Sequence, residues 1–345
     1  MSFRTFSFPF LGVSLTRSSP LRLLDSHSHS RPDTLILFKR NSTSIMAKEH
    51  GHLSAQELFS CKGLTAVVTG GGTGIGLMQT LALVENGAKV FITSRNEEKL
   101  QDVAKKYGGD GQSRGQIVPV TGDITSKEGI DKILEAIKKE APKGINILLN
   151  NAGIAGEGSR EGYEPSEDAE KFSKQLLKSE FQEWQDIYQT NVTAYYFVSA
   201  AFLPLLNAGA NSTKGYASQI INVSSISGLL KSASGGQFAY AASKEACVQM
   251  SKVMAKEFLP LKIRVNQIAP GIFPSEMTAG DSSQESHKSD LSGTGKGESL
   301  PAGRPGNEKD MAAVTIYLAS YAGVFLNGQL IHPDGGATVQ NPAST

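Results

Sequence analysis

The sequence LTAVV at 64–68 is a short apolar run that passes directly into TGGGTGIG at 69–76, and a helical apolar pattern follows through Leu77, Leu81 and Val84 to Gly87. A run without polar alternation suits a strand buried on both faces of a parallel sheet. Glycines at a strand-to-helix turn admit positive φ and let backbone N–H groups approach a phosphate. The N-terminus of the helix adds partial positive charge. A glycine run alone can be a flexible loop, but between a strand and a helix it is a dinucleotide-binding fingerprint. Gly70, Gly71, Gly72, Thr73, Gly74, Ile75 and Gly76 are therefore expected to hold a cofactor's phosphates.

A second strand, AKVFIT at 88–93, ends in Ser94 and Arg95. An acid at this position would hold a ribose 2′-hydroxyl and repel a 2′-phosphate. Ser94 removes that repulsion and Arg95 offers a bidentate donor, so NADP(H) is expected over NAD(H). Thr73 adds no charge where a further basic residue would strengthen this reading. A third strand, QIVPV at 116–120, leads to Asp123 and Ile124. Asp123 is suited either to the adenine amino group or to capping a helix that starts near Ser126. A fourth, INILL at 145–149, runs into Asn150, Asn151, Ala152 and Gly153. There the amides can tie strand ends together while the small residues leave room for a ribose. With further strands at 219–223, 263–268 and 328–332, the expected fold is one α/β domain. It is a doubly wound, seven-stranded, mainly parallel sheet with ligands at the strands' carboxyl ends.

The chemistry-bearing residues lie in the second half. A long helix is expected from about 180 past 206 and carries Asn191, whose amide, if buried, satisfies backbone groups or holds a water linked to Lys244. The strand at 219–223 ends in Ser224 and Ser225, either of which can donate to a substrate carbonyl oxygen. Neither is a hydrolase nucleophile, because no G-x-S-x-G elbow surrounds them and no histidine is suitably placed. In YAASK at 240–244, Tyr240 and Lys244 share one helix face. A free phenol titrates near about 10, and a neighbouring cation favours the phenolate, giving an acid/base usable near neutrality. The turn APGIFPSEMT at 269–278 can close over a nicotinamide, and the polar, Gly/Ser-rich residues 279–300 suit a lid over the substrate or a solvated loop.

A net charge of +1, from 34 basic and 33 acidic residues, suggests no nucleic-acid or acidic-membrane partner. The two cysteines, Cys61 and Cys247, form no metal-type spacing, so no metal is expected and a reducing compartment fits. No unbroken apolar run reaches about 18 residues, so no membrane span is expected. The chain reads as soluble, intracellular and cytoplasmic. Residues 1–51 read as a disordered leader: arginines outnumber acids and Ser and Thr abound up to 45, the composition of a mitochondrial transit segment, although Pro9, Pro20 and Pro32 interrupt any long helix. The alternative is that Met46 is the working start. Residues 52–345 are expected to form the folded domain.

Taken in order, TGGGTGIG, Asp123, NNAG at 150–153, Asn191, Ser225, YAASK, Pro270 with Gly271, and DGG at 334–336 make the chain similar to short-chain dehydrogenase/reductases of the larger single-domain type. The resemblance covers residues 60–338 and extends to 3-oxoacyl-acyl-carrier-protein reductases, including the rhamnolipid-type branch. It implies a Rossmann fold and hydride transfer between a nicotinamide and a carbonyl or alcohol. In that scheme Tyr240 is the acid/base and Lys244 lowers its pKa and holds the nicotinamide ribose. Ser225 orients the carbonyl, and Asn191 anchors a relay water. Ser225 is preferred to Ser224 because it stands three residues before Gly228, although the stretch to Tyr240 is slightly longer than the family's usual spacing. Asn151, Ala152 and Gly153, backbone groups after Pro270 and Gly271 and around Phe273, and the Thr278 hydroxyl would meet the cofactor. A homodimer or homotetramer with a small-molecule carbonyl or alcohol substrate is implied. NAD-dependent alcohol oxidation and a non-catalytic nucleotide sensor are the alternatives.

Overall fold

The computed structural model describes residues 51–109, 111, 114–156, 162–341 and 343. Both readings of the leader, transit segment or start at Met46, fall on residues 1–50 and lie outside the described residues. Residues 52–345 form one compact unit.

Seven strands, β1 (Thr65–Thr69), β2 (Lys89–Ser94), β3 (Gln116–Thr121), β4 (Ile147–Asn150), β5 (Gln219–Val223), β6 (Arg264–Ile268) and β7 (Leu330–Ile331), form one sheet in the order β3-β2-β1-β4-β5-β6-β7. Every pairing is parallel. The chain runs outward from β1 to β3, then restarts at β4 beside β1, so connections leave these two strands in opposite directions and open a crevice at their carboxyl ends. The helices of eight or more residues are α1 (Gly74–Glu85), α2 (Glu97–Tyr107), α3 (Lys127–Glu140), α4 (Ala169–Leu176), α5 (Phe181–Tyr188), α6 (Ala194–Ser212), α7 (Phe238–Glu257) and α8 (Glu308–Ala319).

The strand period of two distributes β1 between two cores. Ala66 and Val68 join Leu77 and Leu83 of α1 and Met311 and Leu318 of α8. Val67 joins Ile130, Ile133 and Ile137 of α3 with Val198 and Phe202 of α6 on the other face. The isoleucines of α3 recur at helical spacing, and the Ser126 hydroxyl accepts from Gly129 N–H to start that helix. Capping therefore falls to Ser126. Asp123 instead accepts from the Thr125 N–H and hydroxyl through Oδ1.

The helix expected from about 180 past 206 is present over Phe181–Ser212, interrupted by a π turn at Gln189–Thr193. The stretch Phe181–Ser212 has 32 residues and a mean hydropathy of 1.3 in its most apolar part, enough by length and composition to cross a membrane. This departs from the sequence expectation because interspersed polar residues break any continuous apolar run. Its Ala194, Val198, Phe202 and Leu206 belong to the core against α3 and the sheet, a placement that gives a core helix the same composition.

Candidate active site

A cleft of about 1070 Å³ opens at the carboxyl ends of the strands. At one end lie Gly70, Thr73, Gly74, Ile75, Gly76, Ser94, Arg95, Asp123 and Ile124; at the other lie Ser225, Tyr240 and Lys244. Asn151, Ala152, Gly153, Pro270, Gly271, Phe273 and Thr278 line it between them.

The first end fits a dinucleotide. Gly70 has a φ of +65°, and at Gly76 a Cβ would stand 2.1 Å from the Gly70 carbonyl oxygen, so the turn closes only with glycine at both positions. The Asn151 amide donates to the Thr69 carbonyl at 3.0 Å, and its N–H and that of Ala152 donate to the Thr69 hydroxyl, locking the end of β1 to the end of β4. Thr73 is the N-cap of α1 but makes no side-chain cap, so side chains leave the first turn of α1 open toward the cleft. Burial alone would raise the Asp123 carboxyl, but hydrogen bonds from Thr125 and the charge of Arg95 hold it below its ordinary value. Gly71 and Gly72 do not line the cleft. A Cβ on Gly71 would meet Ile92 at 2.6 Å, and one on Gly72 would meet Leu100 at 3.5 Å, so both face helix and sheet packing.

At the other end, α7 brings Tyr240 and Lys244 to one buried face. The Ser225 hydroxyl accepts from the Ser227 N–H at 3.1 Å and lines the cleft beside the Tyr240 phenol. Ser224 instead donates to the Ile268 carbonyl at 3.3 Å. Lys244 Nζ donates to the Val223 carbonyl at 3.0 Å and sits 5.7 Å from the centroid of the Tyr240 ring. Burial pushes the Tyr240 phenol up, with the Ser225 hydroxyl opposing it, and burial lowers the Lys244 ammonium. Ser225 thus adds a downward pull on Tyr240 that the sequence reading did not include.

Asn191 is buried in the π turn and does not line the cleft. Its Oδ1 accepts from Ile154 N–H at 2.9 Å, while its Nδ2 donates to the Ile154 carbonyl at 2.9 Å and to Ser243 Oγ at 3.0 Å. The amide therefore clamps the loop after β4 onto α7. Asn150 makes a second buried chain, donating to Ser199 and to Asn222, which donates onward to Ser251.

A family model described as short chain dehydrogenase matches residues 64–286. The chain belongs to the short-chain dehydrogenase family. It is 41% identical over 301 residues to the short-chain dehydrogenase/reductase PhomF of Diaporthe leptostromiformis, covering 85% of this chain and 97% of the relative. It is 35% identical over 280 residues to the rhamnolipids biosynthesis 3-oxoacyl-[acyl-carrier-protein] reductase of Pseudomonas aeruginosa, covering 81% and 97%. Its fold matches the Pseudomonas aeruginosa RhlG/NADP active-site complex with a TM-score of 0.66 at 32% identity, covering 81% and 98% of the two chains. The chain is thus an oxidoreductase of this family.

Two parts of the site make contacts that motif reading does not give. The segment after the PG turn docks partly on α2: the Tyr107 hydroxyl donates to the Ser286 carbonyl at 2.8 Å, and His287 pairs with Asp102 at 2.7 Å. It returns to the cleft at Lys296, Ser299 and Leu300. The Thr278 hydroxyl donates to the Phe273 carbonyl at 2.6 Å and closes a capping box with Ser275. The Phe273 ring packs over Gly306, where a Cβ would lie 2.4 Å from it. Both groups thus shape the turn.

Proposed function

We propose that the chain interconverts a ketone or 3-oxoacyl group and a secondary alcohol, using NADP(H) and with Tyr240 as acid/base. The observation that carries this reading is that Ser225, Tyr240 and Lys244 converge at one end of a cleft whose other end holds Arg95, with Ser94 where an acid would stand. A nicotinamide cofactor held by the glycine loop, Arg95, Asp123 and the residues after β4 supplies or accepts the hydride.

The protein's own groups handle the oxygen. The Ser225 hydroxyl donates to the carbonyl oxygen and fixes its position between two hydroxyls. Tyr240 delivers its proton to that oxygen. The burial that raises its pKa keeps the proton in place at neutral pH, which suits reduction. The Lys244 ammonium beside it favours the phenolate left behind. Asn191, through Ile154 and Ser243, holds the loop and helix that frame Lys244. The similarity to a 3-oxoacyl reductase and to a structure in complex with NADP supports the substrate class and the cofactor.

The test is to follow NADPH and NADH oxidation with short 3-oxoacyl thioesters and simple ketones. Faster consumption of NADPH is expected. Turnover that favours NADH, or failure of every such carbonyl to oxidise NADPH, would contradict the reading.

A further inference from the structure

Beside the glycine loop stand two further charges that cofactor motifs do not include: Glu276, bonded to Thr73, and Lys99, bonded to Glu276. Thr69 pairs with Thr93, so the glycine loop and the residues Ser94 and Arg95 leave the sheet from adjacent points. Glu276 lines the same cleft. Its Oε2 accepts from the Thr73 hydroxyl at 3.3 Å; its Oε1 accepts from Lys99 Nζ at 3.0 Å and from Ser282 at 2.6 Å. Lys99 stands on α2 one turn after Arg95, and its Cγ lies 4.0 Å from where a Cβ on Gly72 would be. Burial pushes the Glu276 carboxyl up, but the bonds from Ser282, Lys99 and Thr73 outweigh it and hold the group below its ordinary value. It is therefore a carboxylate at neutral pH. It is bonded to the very loop residue, Thr73, at which a basic side chain would have favoured a 2′-phosphate.

We infer that Glu276 and Lys99 set, with opposite signs, how strongly this site distinguishes the cofactor bearing a 2′-phosphate from the one bearing a 2′-hydroxyl. This rests on the NADP(H) reading of the pocket. A carboxylate fixed at the glycine loop repels a dianionic 2′-phosphate and leaves a neutral 2′-hydroxyl almost untouched, while an ammonium on α2 does the reverse. The Lys99 and Glu276 side chains are 31% and 44% exposed, so water and salt screen them and the effect is several-fold in size. The pair keeps the total near one excess positive charge, counting Arg95. That moderates the affinity for NADP(H) and keeps the site sensitive to either cofactor. The relevant contact joins residues 177 positions apart, which is why neither charge stands out as a site residue in the sequence.

The test titrates the full chain with NADPH and with NADH, read by nicotinamide fluorescence at low and at physiological salt. The proteins are the wild type, Glu276→Gln and Lys99→Gln. Glu276→Gln is expected to tighten NADPH roughly fivefold with NADH within about twofold, and Lys99→Gln to weaken NADPH by a similar factor. Both shifts should shrink as salt rises. If the pair merely held the segment after the PG turn against α2, both variants would change the two affinities alike. An unchanged NADPH/NADH ratio in a wild type that prefers NADPH therefore overturns the inference alone. A wild type that prefers NADH would contradict the NADP(H) reading, and the inference with it.

Discussion

Gly153 keeps the Lys244 ammonium in place by having no side chain. A Cβ there would stand 3.3 Å from Lys244 Nζ and 3.1 Å from Asn191 Oδ1, both of them buried. Gly153→Val is expected to push Lys244 off the Val223 carbonyl and lower kcat on the order of a hundredfold, read from steady-state kinetics on a protein that still melts cooperatively. The pH dependence follows from Tyr240. Its raised phenol stays protonated through neutral pH, so reduction should stay flat there and fall only on the alkaline side. Alcohol oxidation needs the phenolate and should climb as pH rises. Ser225→Ala removes the group that pulls the phenol down, so both limbs of the kcat/KM profiles should move to higher pH. Limbs that stay in place would separate Ser225 from the titration of Tyr240.

Elements with a local signal were legible in the sequence. β5 spans the expected residues 219–223, and the glycine loop sits between β1 and α1 as its spacing requires. GQLIH at 328–332 contributes only Leu330–Ile331 to β7, the two residues that pair with Gln267 and Ile268 of β6. The π turn was not legible. It carries Asn191, whose partners Ile154 and Ser243 are remote in sequence, and such insertions recur at functional sites. The ion pair between Lys99 and Glu276 escaped for the same reason. Asn191→Ala would leave the Ile154 backbone groups and the Ser243 hydroxyl without this partner. That should cost about 1–3 kcal/mol in denaturant unfolding, with an unchanged slope. A variant as stable as wild type would show that the clamp is dispensable.

On the whole molecule, Phe181, Trp184, Tyr196 and Phe197 leave apolar surface exposed along α5 and α6, with Phe181 88% exposed. Exposed aromatic surface concentrated on one stretch is the kind of surface that association covers. A homodimer or homotetramer burying this stretch is expected in sedimentation equilibrium. Phe181→Glu together with Trp184→Glu should shift it toward monomer, whereas a monomeric wild type would show that the surface has another use. The cleft forms where β1 and β4 diverge, so the two functional ends are held by opposite halves of one sheet and cofactor binding can be separated from proton transfer. Tyr240 as proton donor is therefore tested most directly by single-turnover reduction of a 3-oxoacyl thioester by Tyr240→Phe, with NADPH affinity measured on the same sample. A fall of about 10²–10⁴-fold in rate, with affinity kept within about twofold, is expected. A rate equal to wild type would show that the proton comes from elsewhere.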